Sequence, residues 1–247
     1  MARKTFTVGW LYPDLMNIYG DRGNILTLLK RAEWREYDAR LIELGRGNAK
    51  GMDDVDVFFF GGGQDREQAL VYEDLLETKQ APLERAVAAG ASVLAVCGGY
   101  QLLGHYYQTG EGERFPGIGL IDVRTEAGKR RFIGDVVVDT DLDGIHPKTL
   151  VGFENHSGRT YLGPKARPLG RLRMGFGNNG EDHTEGCIQG GILGTYLHGS
   201  LLPKNPHLAD HLVRSALARR GVTELAPLDD AAEFAAHERI LARARRG

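Results

Sequence analysis

Asp56-Val57-Phe58-Phe59-Phe60 is apolar at four successive positions and is followed at once by Gly61-Gly62-Gly63. No other feature limits the fold of this chain as much. A strand with one solvated face alternates apolar and polar residues, so a run without alternation is buried on both sides. Burial on both sides calls for a parallel sheet covered by helices. Ser92-Val93-Leu94-Ala95-Val96 fits the same sheet, and it runs directly into Cys97-Gly98-Gly99.

The rest of the first half supplies the alternating partners. Phe6–Leu11 and Arg40–Leu44 read as strands. Between them a helix opens at Asp21, a candidate cap, with Ile25, Leu28, Leu29 and Ala32 on one face. Residues 65–89 read as helical with a break near Pro82 and a stop at Gly90, and a further helix starts just after Cys97. The second half changes character. Short strands at Leu120–Val123, Arg131–Asp139 and Leu150–Phe153 are expected to be antiparallel additions, and Ile192–Leu197 to return to the main sheet. Asn205-Pro206 opens a helix that ends at Gly221, and Asp230 to Glu233 resembles a capping box for a last helix. Arg243–Arg246 reads as a solvated tail. The expected architecture is a single α/β domain, with a mostly parallel central sheet flanked by helices and antiparallel additions.

Composition narrows the classes of function. The 247 residues include 31 Lys plus Arg against 33 Asp plus Glu, a net charge of −2, with no general pull toward nucleic acid or anionic membrane. No apolar run approaches the ~18 residues that cross a bilayer. Two cysteines, Cys97 and Cys187, and eight scattered histidines form no metal-ligand spacing, so no metal site is expected. So low a cysteine count fits a reducing cytoplasm.

The chemistry concentrates where strands end in glycine. In Val93-Leu-Ala-Val-Cys97-Gly98-Gly99-Tyr100-Gln101 a strand-to-helix turn lifts a thiol out of the sheet, and the glycines remove β-carbons that would crowd it. A thiol at a helix N-terminus favours its thiolate, and the Gly98 N–H can face a developing oxyanion. The Gly61–Gly63 turn should lie at the same carboxyl edge and can give a second oxyanion donor. It lacks the GK[ST] ending of a phosphate loop. Gly194-Thr195-Tyr196-Leu197-His198-Gly199 delivers an imidazole at a third strand end, able to serve a thiol as base and a leaving amine as acid.

The order GGGQ, VCGGYQ, TYLHG resembles the class I glutamine amidotransferases of the cobyric acid synthase-like type, which have a flavodoxin-like fold. Leu11-Tyr-Pro-Asp-Leu-Met-Asn-Ile-Tyr-Gly-Asp-Arg-Gly-Asn24, Arg130-Arg-Phe-Ile-Gly-Asp135 and Gly152-Phe-Glu-Asn-His-Ser-Gly158 are similar to the glutaminase subunits of lipid II isoglutaminyl synthase, the GatD type. The likeness spans roughly residues 5–205. It implies a glutaminase domain over 1–205, with 206–247 forming C-terminal helices packed on the same domain. It also implies that Cys97 attacks the side-chain amide of L-glutamine, and that His198 protonates the ammonia and then activates water against the thioester. Gly63 and Gly98 would line the oxyanion hole, Gln101 would lie near the substrate amide, and Arg131 would bind the substrate. A guanidinium can clamp an α-carboxylate in bidentate fashion, although the adjacent Arg130 is a rival. No cofactor is implied for this chain. ATP and Mg²⁺ are expected on a Mur-ligase-like (MurT-type) partner, which would amidate the D-glutamate α-carboxylate of the lipid II stem peptide in peptidoglycan synthesis. Two other readings are a glutaminase serving a corrinoid carboxylate and a catalytically silent binding subunit.

Two positions depart from the broader pattern. Ala95 stands where a glycine is usual, a small change. Ser200 stands where a glutamate two residues after the histidine would orient its ring. Serine cannot hold an imidazolium as a carboxylate does, so the orienting carboxylate is expected from elsewhere, a partner subunit included, and the isolated chain is expected to be sluggish. Glu154-Asn155-His156 is expected to shape the site wall, Cys187 to be inert, and Tyr106-Tyr107 to serve the core or a partner contact.

Overall fold

The computed structural model describes residues 4–18, 20–63 and 65–244. Its elements in chain order are β1 (Thr5–Leu11), α1 (Arg22–Glu33), β2 (Asp38–Leu44), β3 (Val57–Phe60), α2 (Asp65–Asp74), α3 (Gln80–Ala88), β4 (Ser92–Val96), α4 (Gly98–Leu103), β5 (Tyr106–Gln108), β6 (Arg114–Pro116), β7 (Val123–Asp139), β8 (Thr149–Leu162), β9 (Gly170–Met174), β10 (Thr184–Glu185), β11 (Cys187–Gln189), β12 (Ile192–Thr195), α5 (Pro206–Ala218) and α6 (Ala231–Ala244).

The apolar runs form the middle of the first sheet, whose order is β11-β12-β4-β3-β1-β2. All its pairings are parallel except the antiparallel edge strand β11. Every residue of β3, β4 and β12 is buried, as strands without alternation require. The expected return of the chain to this sheet near residue 192 is found: Thr195 lies beside Val96, and Phe60 beside Ala95.

The antiparallel additions are larger than expected. They make a second sheet, β10-β9-β7-β5-β6, with β8 paired to β7, and it is not wholly antiparallel, since β5 runs parallel to β7. Leu120–Val123 is not a separate strand. Val123 begins the 17-residue β7, which also contains the expected strand at Arg131. β8 likewise runs from Thr149 to Leu162, well past Phe153. The polar stretch Gly128-Lys129-Arg130-Arg131 resembles a turn, but β7 crosses it in a bulge. Ala127 faces Gly158 and Phe132 faces His156, so the pairing slips between them.

Local signals were displaced elsewhere too. The helical break falls not at Pro82 but one turn earlier, in a wide π-helical turn at Leu75–Lys79. Proline lacks an N–H and its ring clashes with the carbonyl four residues back, so the wider turn precedes it. Asp21 and Asn205 sit at N-cap positions, yet neither side chain caps its helix. Asn205 instead accepts from the Val151 N–H at 2.9 Å and donates to the Val151 carbonyl at 2.8 Å. The Asp230 carboxylate binds Arg31, which also holds Asp210 through two bonds of 2.6 and 2.8 Å, tying α1 to α5 and to the start of α6. Arg243 is solvated, as expected, but its exposed guanidinium also pairs with Asp135 of β7 at 2.7 Å. Arg245 and Arg246 lie outside the described residues.

Candidate active site

β3, β4 and β12 are neighbours in the first sheet, and the residues singled out in sequence follow their carboxyl ends. Cys97 follows β4 with φ 52° and ψ −108°, a backbone conformation that costs a non-glycine residue about 1–3 kcal/mol. The surroundings enforce it. The Cys97 N–H donates to the Thr195 carbonyl at 2.9 Å, and the Cys97 carbonyl accepts from the Gln101 N–H at 3.0 Å. The Gly99 N–H donates to the Gly61 carbonyl at 3.1 Å, which locks the two glycine turns together. A β-carbon on Gly99 would lie 2.5 Å from the Phe60 carbonyl oxygen, so no other residue fits there.

Cys97 and His198 both lie against Gly62. A β-carbon built on it would lie 3.4 Å from the Cys97 Cβ and 3.2 Å from the His198 Cε1. The two side chains therefore flank one glycine. Gly98 approaches the same turn, since a β-carbon on it would lie 3.0 Å from the Gly63 nitrogen. His198 is fully buried. Its N–H donates to the Phe153 carbonyl at 2.7 Å, bridging the first sheet to β8 of the second. Burial, and then the positive charges of His156 and Arg131, push its imidazole down to about 3, so it is neutral at pH 7.

Above this edge lies a cavity of about 250 Å³, lined by Gly63, Cys97, Gln101 and Arg131 together with Gln68 and residues of β8. The bulge in β7 places Arg131 at the cavity, while the Arg130 guanidinium stacks 4.9 Å from the Phe176 ring centroid. Gln101 is held at both ends of its amide. Its oxygen accepts from Gln68 Nε2 at 3.0 Å, and its nitrogen donates to the Tyr196 hydroxyl at 3.1 Å, which shares a 2.7 Å bond with Thr160. His156 stacks on Tyr196 with centroids 3.6 Å apart. Asn155 and His156 form cavity wall, as expected for that stretch, and Tyr107 does too rather than serving only core or partner. Cys187 is fully buried, and burial pushes its thiol up to about 12, which makes it a poor nucleophile.

Sequence reasoning missed Gln68, Tyr196 and Asp21. Tyr196 lies two residues before His198, and the period of two in an extended chain gave a signal for it. Gln68 lies one helical turn into α2 after the glycine turn, with no such signal.

A thiol held beside an imidazole at one sheet edge is the arrangement that cysteine-dependent acyl-transfer chemistry requires. Residues 7–206 match the CobB/CobQ-like glutamine amidotransferase domain, and the chain belongs to that family. It is 41% identical to the lipid II isoglutaminyl synthase (glutamine-hydrolyzing) subunit GatD of Staphylococcus aureus, over 97% of this chain and 96% of the relative. It is 39% identical to the GatD subunit of Streptococcus pneumoniae, over 86% and 81% of the two chains. A probable cobyric acid synthase of Methanothermobacter thermautotrophicus is 31% identical over 81% of this chain but only 40% of its own length. The fold is shared with a crystal structure of a glutamine amidotransferase (TM-score 0.55, 18% identity, 85% of this chain and 98% of that one). It is also shared with the glutaminase domain of Trypanosoma brucei CTPS with bound acivicin (TM-score 0.56, 10% identity, 90% and 97%).

Proposed function

We propose that this chain is the glutamine-hydrolysing subunit of a lipid II isoglutaminyl synthase. The observation that carries this reading is the meeting of Cys97 and His198 across Gly62, in a chain 41% identical to a GatD subunit along nearly its whole length. Cys97 Sγ gives its proton to His198 and attacks the carboxamide carbon of L-glutamine. The oxyanion accepts hydrogen bonds from the Gly63 and Gly98 N–H groups. His198 returns the proton to the departing nitrogen, and ammonia leaves a thioester on Cys97. Water, deprotonated by His198, then splits the thioester to glutamate and free thiol.

Arg131 takes the α-carboxylate of glutamine, and this has a second effect. Its charge disfavours an imidazolium at His198, so an anion placed on it restores basicity to the imidazole. The electrostatics also suit a complex better than an isolated chain. Burial and two cationic neighbours depress His198, a shift that a carboxylate beside the ring would oppose, and Ser200, at the position of the expected glutamate, donates its hydroxyl to the Gly20 carbonyl at 2.6 Å. A carboxylate from a synthetase partner would complete the triad. That partner, a Mur-ligase-like chain of the MurT type holding ATP and Mg²⁺, receives the ammonia and amidates the D-glutamate α-carboxylate of lipid II to D-isoglutamine. The chain itself works in the cytoplasm without a cofactor.

The test is native co-purification followed by an isotope assay. With amide-¹⁵N glutamine, ATP and lipid II, the recovered complex should place ¹⁵N in D-isoglutamine. Recovery of a corrin-processing enzyme instead, or ammonia release with no transfer to lipid II, overturns the assignment of the acceptor.

A further inference from the structure

The stretch Gly20-Asp21-Arg22-Gly23-Asn24 follows β1 and contributes none of the catalytic groups named above, yet it touches both halves of the site. Asp21 is fully buried, and its Oδ2 accepts the Gly62 N–H at 2.7 Å. Its other oxygen is buried with no hydrogen-bond partner among the described residues. Burial pushes the carboxyl up to about 7, against the opposing pull of the Gly62 N–H, so holding this group here is costly to the fold. An aspartate at an N-cap position ordinarily bonds the first turn of its own helix, and this one does not. Either side of it, the Gly20 carbonyl accepts from Ser200 Oγ at 2.6 Å, and Asn24 Oδ1 accepts from the Leu202 N–H at 2.9 Å. These last two bonds hold the segment that follows His198.

The Gly61–Gly62 peptide is thus pinned at both ends. Its carbonyl accepts from Gly99, directly beyond the thiol, and its N–H donates to Asp21. With that plane fixed, only the φ and ψ of Gly62 remain to set the direction of the next N–H, that of Gly63. We propose that Gly20–Asn24 is a brace between the oxyanion turn and the histidine-bearing strand end, with Asp21 as a positioning residue that aims the Gly63 N–H at the reacting carbonyl. It accounts for Ser200 as well: at this position a short hydroxyl serves the brace where a glutamate would serve the ring.

This inference rests on the glutaminase reading, and its test separates the two. Ammonia release from L-glutamine is measured for the full chain with its co-purified partner. An oxyanion donor acts in the transition state, so Asp21→Ala should lower kcat about 10- to 100-fold, less than outright deletion of a donor, with KM within about twofold. Asp21→Asn keeps an oxygen acceptor for Gly62 and should recover most of the loss. Alkylation of Cys97 by iodoacetamide, which forms no oxyanion, should proceed at the unaltered rate in all variants. Asp21→Leu, near-isosteric and apolar, makes the same comparison where the alanine variant does not fold. A rise in KM at constant kcat, equal losses in the Asn and Ala variants, or slowed alkylation overturns the brace. Full activity in Asp21→Ala overturns the brace alone, whereas no ammonia from the unaltered complex overturns the glutaminase reading and the brace with it.

Discussion

The two sheets meet at one cavity but are built on opposite rules. The edge of the first sheet places its chemistry through backbone: Cys97 sits at positive φ, Gly99 has no room for a β-carbon, and Cys97 and His198 both pack against Gly62. The second sheet reaches the cavity through side chains, from a bulge in β7 and from β8. Its Arg131 is long, exposed and held on an irregular strand. Under the proposed function, the groups that must meet a reacting carbonyl within a fraction of an ångström lie on the rigid edge, and the group proposed to gather the charged substrate lies on the adaptable one.

If that division is right, variants on the two sheets should fail in different kinetic constants. Cys97→Ala removes the nucleophile and should lower kcat by at least about 10⁴-fold, with glutamine still binding. His198→Asn should lose a similar amount, and the double variant should lose little more, because the two act as one unit. Isothermal titration with glutamine beside steady-state ammonia release checks both. Multiplicative losses would show that the two residues do not share a step.

On the second sheet, Arg131→Ala removes a charge-assisted hydrogen bond of about 1.5–3 kcal/mol, so KM should rise about 10- to 100-fold. kcat should fall less, and only as far as the substrate carboxylate on Arg131 had restored basicity to His198. Arg130→Ala should leave KM near its original value, since that guanidinium lies against Phe176. If Arg131→Ala depressed kcat alone, or if Arg130 carried the KM effect, the division between the sheets would break.

The same division explains what could be read from sequence. β3, β4 and β12 are short and apolar throughout, so their burial, their parallel pairing and the residues at their ends follow from local pattern. The second sheet has strands of 17 and 14 residues with mixed polarity and a bulge in their pairing, and a bulge leaves no periodic mark. Arg131 was therefore identified by resemblance to a motif, and its distinction from Arg130 needed coordinates. The caps misled for a related reason. Asp21, Asn205 and Asp230 stand where helix starts want them, but their side chains serve residues 41, 54 and 199 positions away. Propensity located the helix starts and could not see those partners.

A smaller effect separates two buried carboxylates that are alike in their electrostatics but placed in different regions. Asp21 stands at the catalytic edge. Glu185 is fully buried in β10, where it accepts from Thr195 Oγ1 and from the Tyr196 N–H at 2.8 Å. Burial raises both carboxyls to about 7, whereas burial lowers His198 to about 3 and His207 to about 4. Between about pH 4.5 and 6.5 the two histidines are protonated only when unfolded, so they make stability rise with pH. The two carboxyls are protonated only when folded over that window, so they make it fall. The pairs oppose one another, and Glu185→Gln removes one member. Its unfolding free energy should therefore climb relative to the parent by up to about 1.4 kcal/mol per pH unit from about 4.5 to 6.5. Other buried histidines tilt both curves equally and leave the difference unchanged. Urea titrations at four pH values measure it, and parallel curves would show that Glu185 is ionised in the folded chain. Because Glu185 touches neither the glycine turn nor the thiol, the same variant should keep the parent shape of kcat against pH. A change in that shape would mean that the seam between the sheets tunes the chemistry as well as the fold.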